Sequence, residues 1–136
     1  MTAKVHQDFA SDLASIPLVS SETVGRVFPL LIGSTESLPA MSFTIRDGIP
    51  DSFYVDSFGL ATYDITVDVY SRSYQTNQEL ADVIVSRYNG TSLQIGPADN
   101  PTTVQRAIID NVLNSIDVDD SGVYRTLIEL TLTTGG

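Results

Sequence analysis

The 136-residue sequence has no cysteine, one lysine (Lys4) and one histidine (His6), and each scarcity closes off a class of chemistry. Without thiols there is no disulfide, no thiolate nucleophile and no cysteine-bound metal, which fits a reducing compartment. A lone histidine has no second imidazole with which to share a metal. No Gly-x-Ser-x-Gly elbow offers it a nucleophile to activate, so His6 reads as a surface residue near a helix end. Basic residues number 7 against 17 acidic ones, for a formal charge of −10, and the arginines (Arg26, Arg46, Arg72, Arg87, Arg106, Arg125) stand singly. Gripping phosphates takes several basic contacts that release counterions, so specific nucleic-acid binding is not expected. The same acidity would let a duplex pass without sticking. No apolar run nears the roughly 20 residues that cross a bilayer, and Met1 to His6 lead into Gln7 and Asp8 instead of a signal core. Neither export nor a membrane anchor is expected.

What is present describes a folded globule. Hydrophobic residues make up 42% of the chain and charged ones 18%, enough apolar content to offset the ordering entropy of one domain covering residues 1–136. Val5, Phe9, Leu13 and Ile16 recur at helical steps and predict an amphipathic helix over 3–15, halted by Pro17. Residues 17–39, rich in Ser, Pro and Gly, read as a packed irregular connection in which Pro29 argues against a central strand. Met41 to Arg46 alternates as a half-wet strand does. Leu60 to Tyr70 alternates more strictly, with Tyr63, Ile65, Val67 and Val69 on one face and Asp64, Thr66 and Asp68 on the other.

Thr76-Asn77-Gln78-Glu79 has capping-box spacing, Leu80, Val83, Ile84 and Tyr88 form a helical stripe, and Asn89-Gly90 offers a left-handed terminus. Gln94 to Thr103 reads as a loop. Val104 to Val118 and Val123 to Thr133 form a hairpin around Asp119-Asp120-Ser121-Gly122. In the first of these strands the parity of apolar residues slips, which a bulge near Asp110 to Val112 would explain. The expected fold is α+β in the order α-β-β-α-β-β, an antiparallel sheet of about four strands with helices packed on one face.

Candidate chemistry is thin. Asp117, Asp119 and Asp120 open like a calcium loop, but the twelfth position is Ile128 where a bidentate glutamate is required, so a hairpin turn is the better reading. Asp64 and Asp68 could pair as catalytic carboxylates, although alternating acids more often form the wet face of a sheet. Asn89-Gly90-Thr91 matches a glycosylation acceptor but reads as a helix end. No catalytic residue, cofactor site or metal site is assigned. The connection Ile49 to Phe58 is the unusual feature, because Ile49, Phe53, Tyr54 and Phe58 must be buried either on the chain's own core or on a neighbour.

Several stretches form a recognisable series: Gly25-Arg26-Val27-Phe28-Pro29 after a short helix, a strand beginning near Pro39, and Thr66-Val67-Asp68-Val69-Tyr70-Ser71-Arg72-Ser73-Tyr74 running into a helix over Asn77 to Arg87. A last strand with Tyr124-Arg125 near its start completes it. Together, through short structural motifs that cover nearly the whole chain, they resemble the tail terminator, or tail completion, proteins of long-tailed bacteriophages and gene transfer agents. Matched by position, Val67, Val69 and Tyr70 are sheet residues, and Leu80, Val83 and Ile84 are the helix's core stripe.

The resemblance implies a non-enzymatic virion protein of the tail or neck, assembled in the host cytoplasm. It implies a homo-oligomeric ring, usually of six copies, that caps the tail tube, stops its polymerisation and presents a docking surface to the head-tail connector protein. DNA would pass through the centre without specific binding. The competing expectation is a monomeric adaptor or assembly chaperone for a single virion partner; a small hydrolase is remote. In the ring reading, Ile49, Phe53, Tyr54 and Phe58 meet an adjacent subunit or the tail tube protein. Replacing Phe53 and Phe58 by Ser should leave a folded monomer that neither forms rings nor completes tails, as read by light scattering and electron microscopy; unaltered rings would remove this loop from the interface.

Overall fold

The computed structural model of the chain describes residues 2–24, 26–29, 38–46, 61–116 and 122–134. Helix α1 (Thr2–Ser15) buries Val5, Phe9 and Leu13, one per turn on a single face. It stops where Pro17 would lack the N–H to continue it, and Pro17 then opens a second helix, α2 (Pro17–Thr23), at the position where a missing N–H costs nothing. Helix α2 closes on Val24 in the left-handed conformation, φ 51°. Three strands follow, β1 (Val27–Pro29), β2 (Ala40–Arg46) and β3 (Ala61–Ser71). After them come α3 (Tyr74–Arg87), β4 (Gly90–Ile95), β5 (Thr102–Ile116) and β6 (Tyr124–Thr134).

The strands form one six-stranded sheet in the order β1-β2-β3-β6-β5-β4, curled into a half-barrel. This corrects the expectation of about four antiparallel strands with helices packed on one face. The sheet is mixed because β1 runs parallel to β2, pairing Val27 with Met41 and Pro29 with Phe43. Proline 29 is tolerated because β1 is an outer strand of three residues, where a missing donor breaks no interior ladder. At the far side β4 pairs antiparallel with β5. Both additions, and α2, come from stretches whose composition reads as connection: short edge elements carry too few residues for a period to register.

The alternating strands hold their expected faces. Tyr63, Ile65, Val67 and Val69 of β3 are buried, and their partners across the ladder are Leu132, Leu130, Ile128 and Thr126 of β6, buried too. The stripe of α3, Leu80, Ala81 and Ile84, joins the same core together with Phe9, Leu13 and Val19. Phe9 packs against Phe43 at a ring separation of 5.7 Å and against Tyr88 at 5.2 Å, so one side chain joins α1, β2 and the end of α3. The expected slip in β5 occurs as a register shift between Ile109 and Asn111, with a second between Val104 and Arg106.

Two local expectations are corrected at α3. The helix begins at Tyr74, not Thr76: Ser73 is the N-cap and accepts from the Thr76 N–H at 3.3 Å. Asn77, once inside the helix, is fully buried. Its amide donates to the Val69 carbonyl at 3.2 Å and the Thr126 hydroxyl at 3.1 Å, and its oxygen accepts from the Ser71 hydroxyl. At the other end, Asn89-Gly90 supplies no left-handed residue. Gly90 instead opens β4, and positive φ appears later, at Ser92 and at Gly96 (φ 93°).

Gly96 has two reasons to be glycine: its φ, and a Cβ built there would land on the Asp8 carboxylate. Gly96→Ala should therefore destabilise by more than about 1 kcal/mol. Val24→Gly should raise stability by up to about 1 kcal/mol, since a β-branched residue in the left-handed region is strained by roughly that much. Urea titrations followed by circular dichroism should show the two midpoints moving in opposite directions.

Candidate interaction surface

The buried titratable groups bind the fold to itself. Asp8 and Asp12 project from the polar side of α1 yet are buried. Asp12 accepts two bonds from the Arg87 guanidinium, 3.0 Å from Nε and 2.6 Å from Nη2, and a third from the Tyr88 hydroxyl at 2.6 Å. Burial, reinforced by the Asp12 charge, pushes the Tyr88 phenol well above its ordinary range, so it remains the donor. The bond to Asp12 likewise raises the Arg87 value, and Arg87 also donates to the Gln94 carbonyl at 3.0 Å. Asp8 accepts from Lys4 and from the Thr102 hydroxyl, each at 2.5 Å. Burial alone would raise its pKa; the bonds from Lys4 and Thr102 and the Lys4 charge outweigh that and hold it below the usual carboxylate value. No buried side-chain polar atom among the described residues lacks a hydrogen bond.

The face of the sheet turned from the core is polar. Asp68 pairs with Arg125 at 2.8 Å, and Asp64 accepts from Thr131 at 3.4 Å. Thr131 also donates to Asp110 at 2.6 Å. Thr44, Arg46, Asp64, Thr66, Asp110 and Glu129 line a broad open groove of about 450 Å³. Asp64 and Asp68 thus belong to a wet sheet face in ion pairs and hydroxyl bonds. No group of three or more His, Cys, Asp or Glu among the described residues is arranged to hold a metal. His6 is half-buried on α1.

The strongest surface feature is the outer half of β5. Strand β4 pairs with β5 only from Thr102 to Ala107, whereas β5 continues to Ile116. From Ile108 onward its ladder partner among the described residues is β6 alone, so one row of backbone N–H and C=O groups faces outward. Large apolar side chains are exposed along it: Val112 at 38%, Leu113 at 53% and Ile116 at 56%.

Past the register shift, Val112 lies opposite the buried Ile128, and Ile116 opposite Tyr124, on the helix side of the sheet. Leu113 lies opposite Leu127 on the other side. Tyr74, 52% exposed, meets Tyr124 edge-on with ring centroids 5.8 Å apart and extends the patch to the start of α3. Gln78 of α3 donates to Asn114 at 2.8 Å and flanks it.

Of the residues expected at an interface, Ile49, Phe53, Tyr54 and Phe58 lie outside the described residues, as does the turn at Asp117, Asp119 and Asp120. The sequence reading did not single out Val112, Leu113 and Ile116. Its available signal was that apolar residues of both parities persist to the end of β5, more than a strand with one wet face requires.

Comparison with known proteins bears on the fold. No family model matches the chain, and no curated protein matches it. A chain from the virion of a native gene transfer agent particle shares its fold: 14% sequence identity, TM-score 0.60, covering 100% of this chain and 95% of that one. A second solved structure, of a protein without a descriptive name, aligns at 12% identity and TM-score 0.66, over 100% of this chain and 96% of the other.

A carboxylate whose folded pKa is depressed contributes stability above its unfolded value and loses it as pH falls through the folded one. Asp8 should therefore contribute near neutral pH and lose that contribution below the ordinary carboxylate range. Asp8→Asn should lower the urea midpoint near neutrality and flatten its decline in acid; an unchanged acid slope would show that Asp8 is not the group responsible.

Proposed function

We propose that this chain is a structural protein of a virion or virion-like particle, and that within it the chain acts as the tail terminator. It forms a ring, with six copies the expected number, that caps the tail tube, ends tube polymerisation and offers a docking surface to the head-tail connector. The observation that carries this reading is the fold shared along the full chain with a gene transfer agent virion chain. The sequence motifs noted above point the same way on separate grounds. Two features of the molecule suit the role. Its buried carboxylates, Asp8 and Asp12, are committed to structural partners. Its surface also offers an apolar strand edge, the kind of surface protein assembly uses.

The polar sheet face sets three acids, Asp64, Asp110 and Glu129, and one base, Arg46, around the groove, an acidic balance suited to a passage through which DNA slides without being held. Contacts with the tube and connector would then come from the ring's two ends, leaving the sheet edges for subunit contacts. The neck of the tail is the corresponding location.

Deleting the gene in a particle-producing host and imaging the products tests the proposal. The expected result is tail tubes of uncontrolled length together with full heads that carry no tail. Tails of ordinary length joined to heads would overturn it. If tube length is ordinary but a single partner fails to assemble, the chain is a monomeric adaptor or assembly chaperone instead.

A further inference from the structure

We propose that Asn89-Gly90 is a self-modifying site, at which the chain's own backbone converts the Asn89 side-chain amide to an acid by way of a cyclic imide. The motif stands in the short link between α3 and β4, just past Tyr88, where the helix has ended. Asn89 and Gly90 are both exposed. Nothing in the fold requires glycine at position 90: its φ is not positive, and a Cβ built on it would meet no atom within 4 Å. Gly96 is the contrast, since both its φ and the nearby Asp8 carboxylate exclude a side chain. What glycine provides at position 90 is a backbone nitrogen that no side chain crowds, on a main chain free to turn. It also lies at the end of its ladder, opposite Ala107, so its N–H is released when the strand end frays, a far smaller opening than global unfolding.

The chemistry needs only water. The Gly90 nitrogen attacks Cγ of Asn89 and gives its proton to solvent; the N–Cγ bond forms, the Cγ–Nδ2 bond breaks, and Nδ2 takes up a proton and leaves as ammonia. Water then opens the imide at either carbonyl. Opening at the former side-chain carbonyl restores the ordinary backbone with aspartate at 89. Opening at the former backbone carbonyl carries the main chain through the side chain and leaves isoaspartate.

The other asparagines lack these conditions. Asn100 precedes Pro101, whose nitrogen has no proton to lose. Asn77 is buried in α3 with its amide bonded to Val69 and Thr126. Asn111 and Asn114 precede Val112 and Ser115 within β5, where bonds hold Asn111 to Glu129 and Asn114 to Gln78 and Thr126. The two products at position 89 act differently on the fold. Aspartate at an exposed position changes charge alone. Isoaspartate adds a methylene to the main chain between Tyr88, fixed by its bond to Asp12 at 2.6 Å, and Gly90, held by the ladder. The pair at the strand end yields, and β4 loosens with age.

Incubating the folded protein at mildly alkaline pH and mapping its peptides by mass spectrometry tests the proposal. The expected result is the mass gain of amide-to-acid conversion, located at Asn89 by fragmentation and faster as pH rises, with the other asparagines unchanged. Gly90→Ala should keep the native circular dichroism spectrum and slow that conversion about tenfold or more. An intact Asn89 after a time in which the excised peptide Arg87 to Leu93 converts would overturn the proposal, as would earlier conversion at another asparagine or an equal rate in Gly90→Ala. Aged protein containing isoaspartate should unfold at a lower urea midpoint than Asn89→Asp, which carries the acid without the added methylene; equal midpoints would overturn the loosening of β4. None of these outcomes depends on the ring.

Discussion

The architecture turns on how α1 is held against the sheet. Phe9 is clasped between Phe43 of β2 and Tyr88 at the end of α3, and one turn later Asp12 receives Arg87 and the Tyr88 hydroxyl. Tyr88 therefore acts twice, its ring in the apolar contact and its oxygen in the polar one. On the N-terminal side of Phe9, Lys4 reaches Asn100 in the turn between β4 and β5, and Asp8, held by Lys4, reaches Thr102 at the start of β5. Breaking a buried charged contact leaves its other half unpaired in a dry setting, which is costlier than the net worth of the pair. The two carboxylates thus fix where α1 may sit and with it the position of β4.

That placement has a consequence at the other end of the sheet. With β4 held near α1 and beginning at Gly90 against Ala107, the remainder of β5 has no second neighbour among the described residues. Helix α3 covers the β3–β6 portion of the sheet, pinned there by Asn77 on Val69 and Thr126, and touches β5 through Gln78. Val112 and Ile116 lie on the inner side of the sheet and are exposed. Their exposure follows from element lengths: six residues in β4 against fifteen in β5.

The acidic excess is also unevenly placed. Asp8 and Asp12 are consumed inside the fold, and Asp68 is answered by Arg125. Asp64, Asp110 and Glu129 gather on the outer face around a groove that Arg46 also lines, so this base stands among the acids of its own copy.

Local pattern by itself determined the long elements. The period of two in β3 and β6 and the period near four in α1 name the buried residues correctly, because side-chain direction in a regular element is a local property. The slip in β5 was legible for the same reason. Tertiary structure decided everything that depends on pairing: that β1 and β4 exist as edges, that the sheet is mixed and curled, and that Ser73, not Thr76, caps α3. It also decided that Asp8, Asp12 and Asn77, polar by any composition rule, lie buried. A strand three or six residues long is specified by the neighbour that accepts its hydrogen bonds, and a buried carboxylate by the donors that surround it. Neither partner is adjacent in the chain, so the exposed edge of β5 appears only once the ladder is assembled.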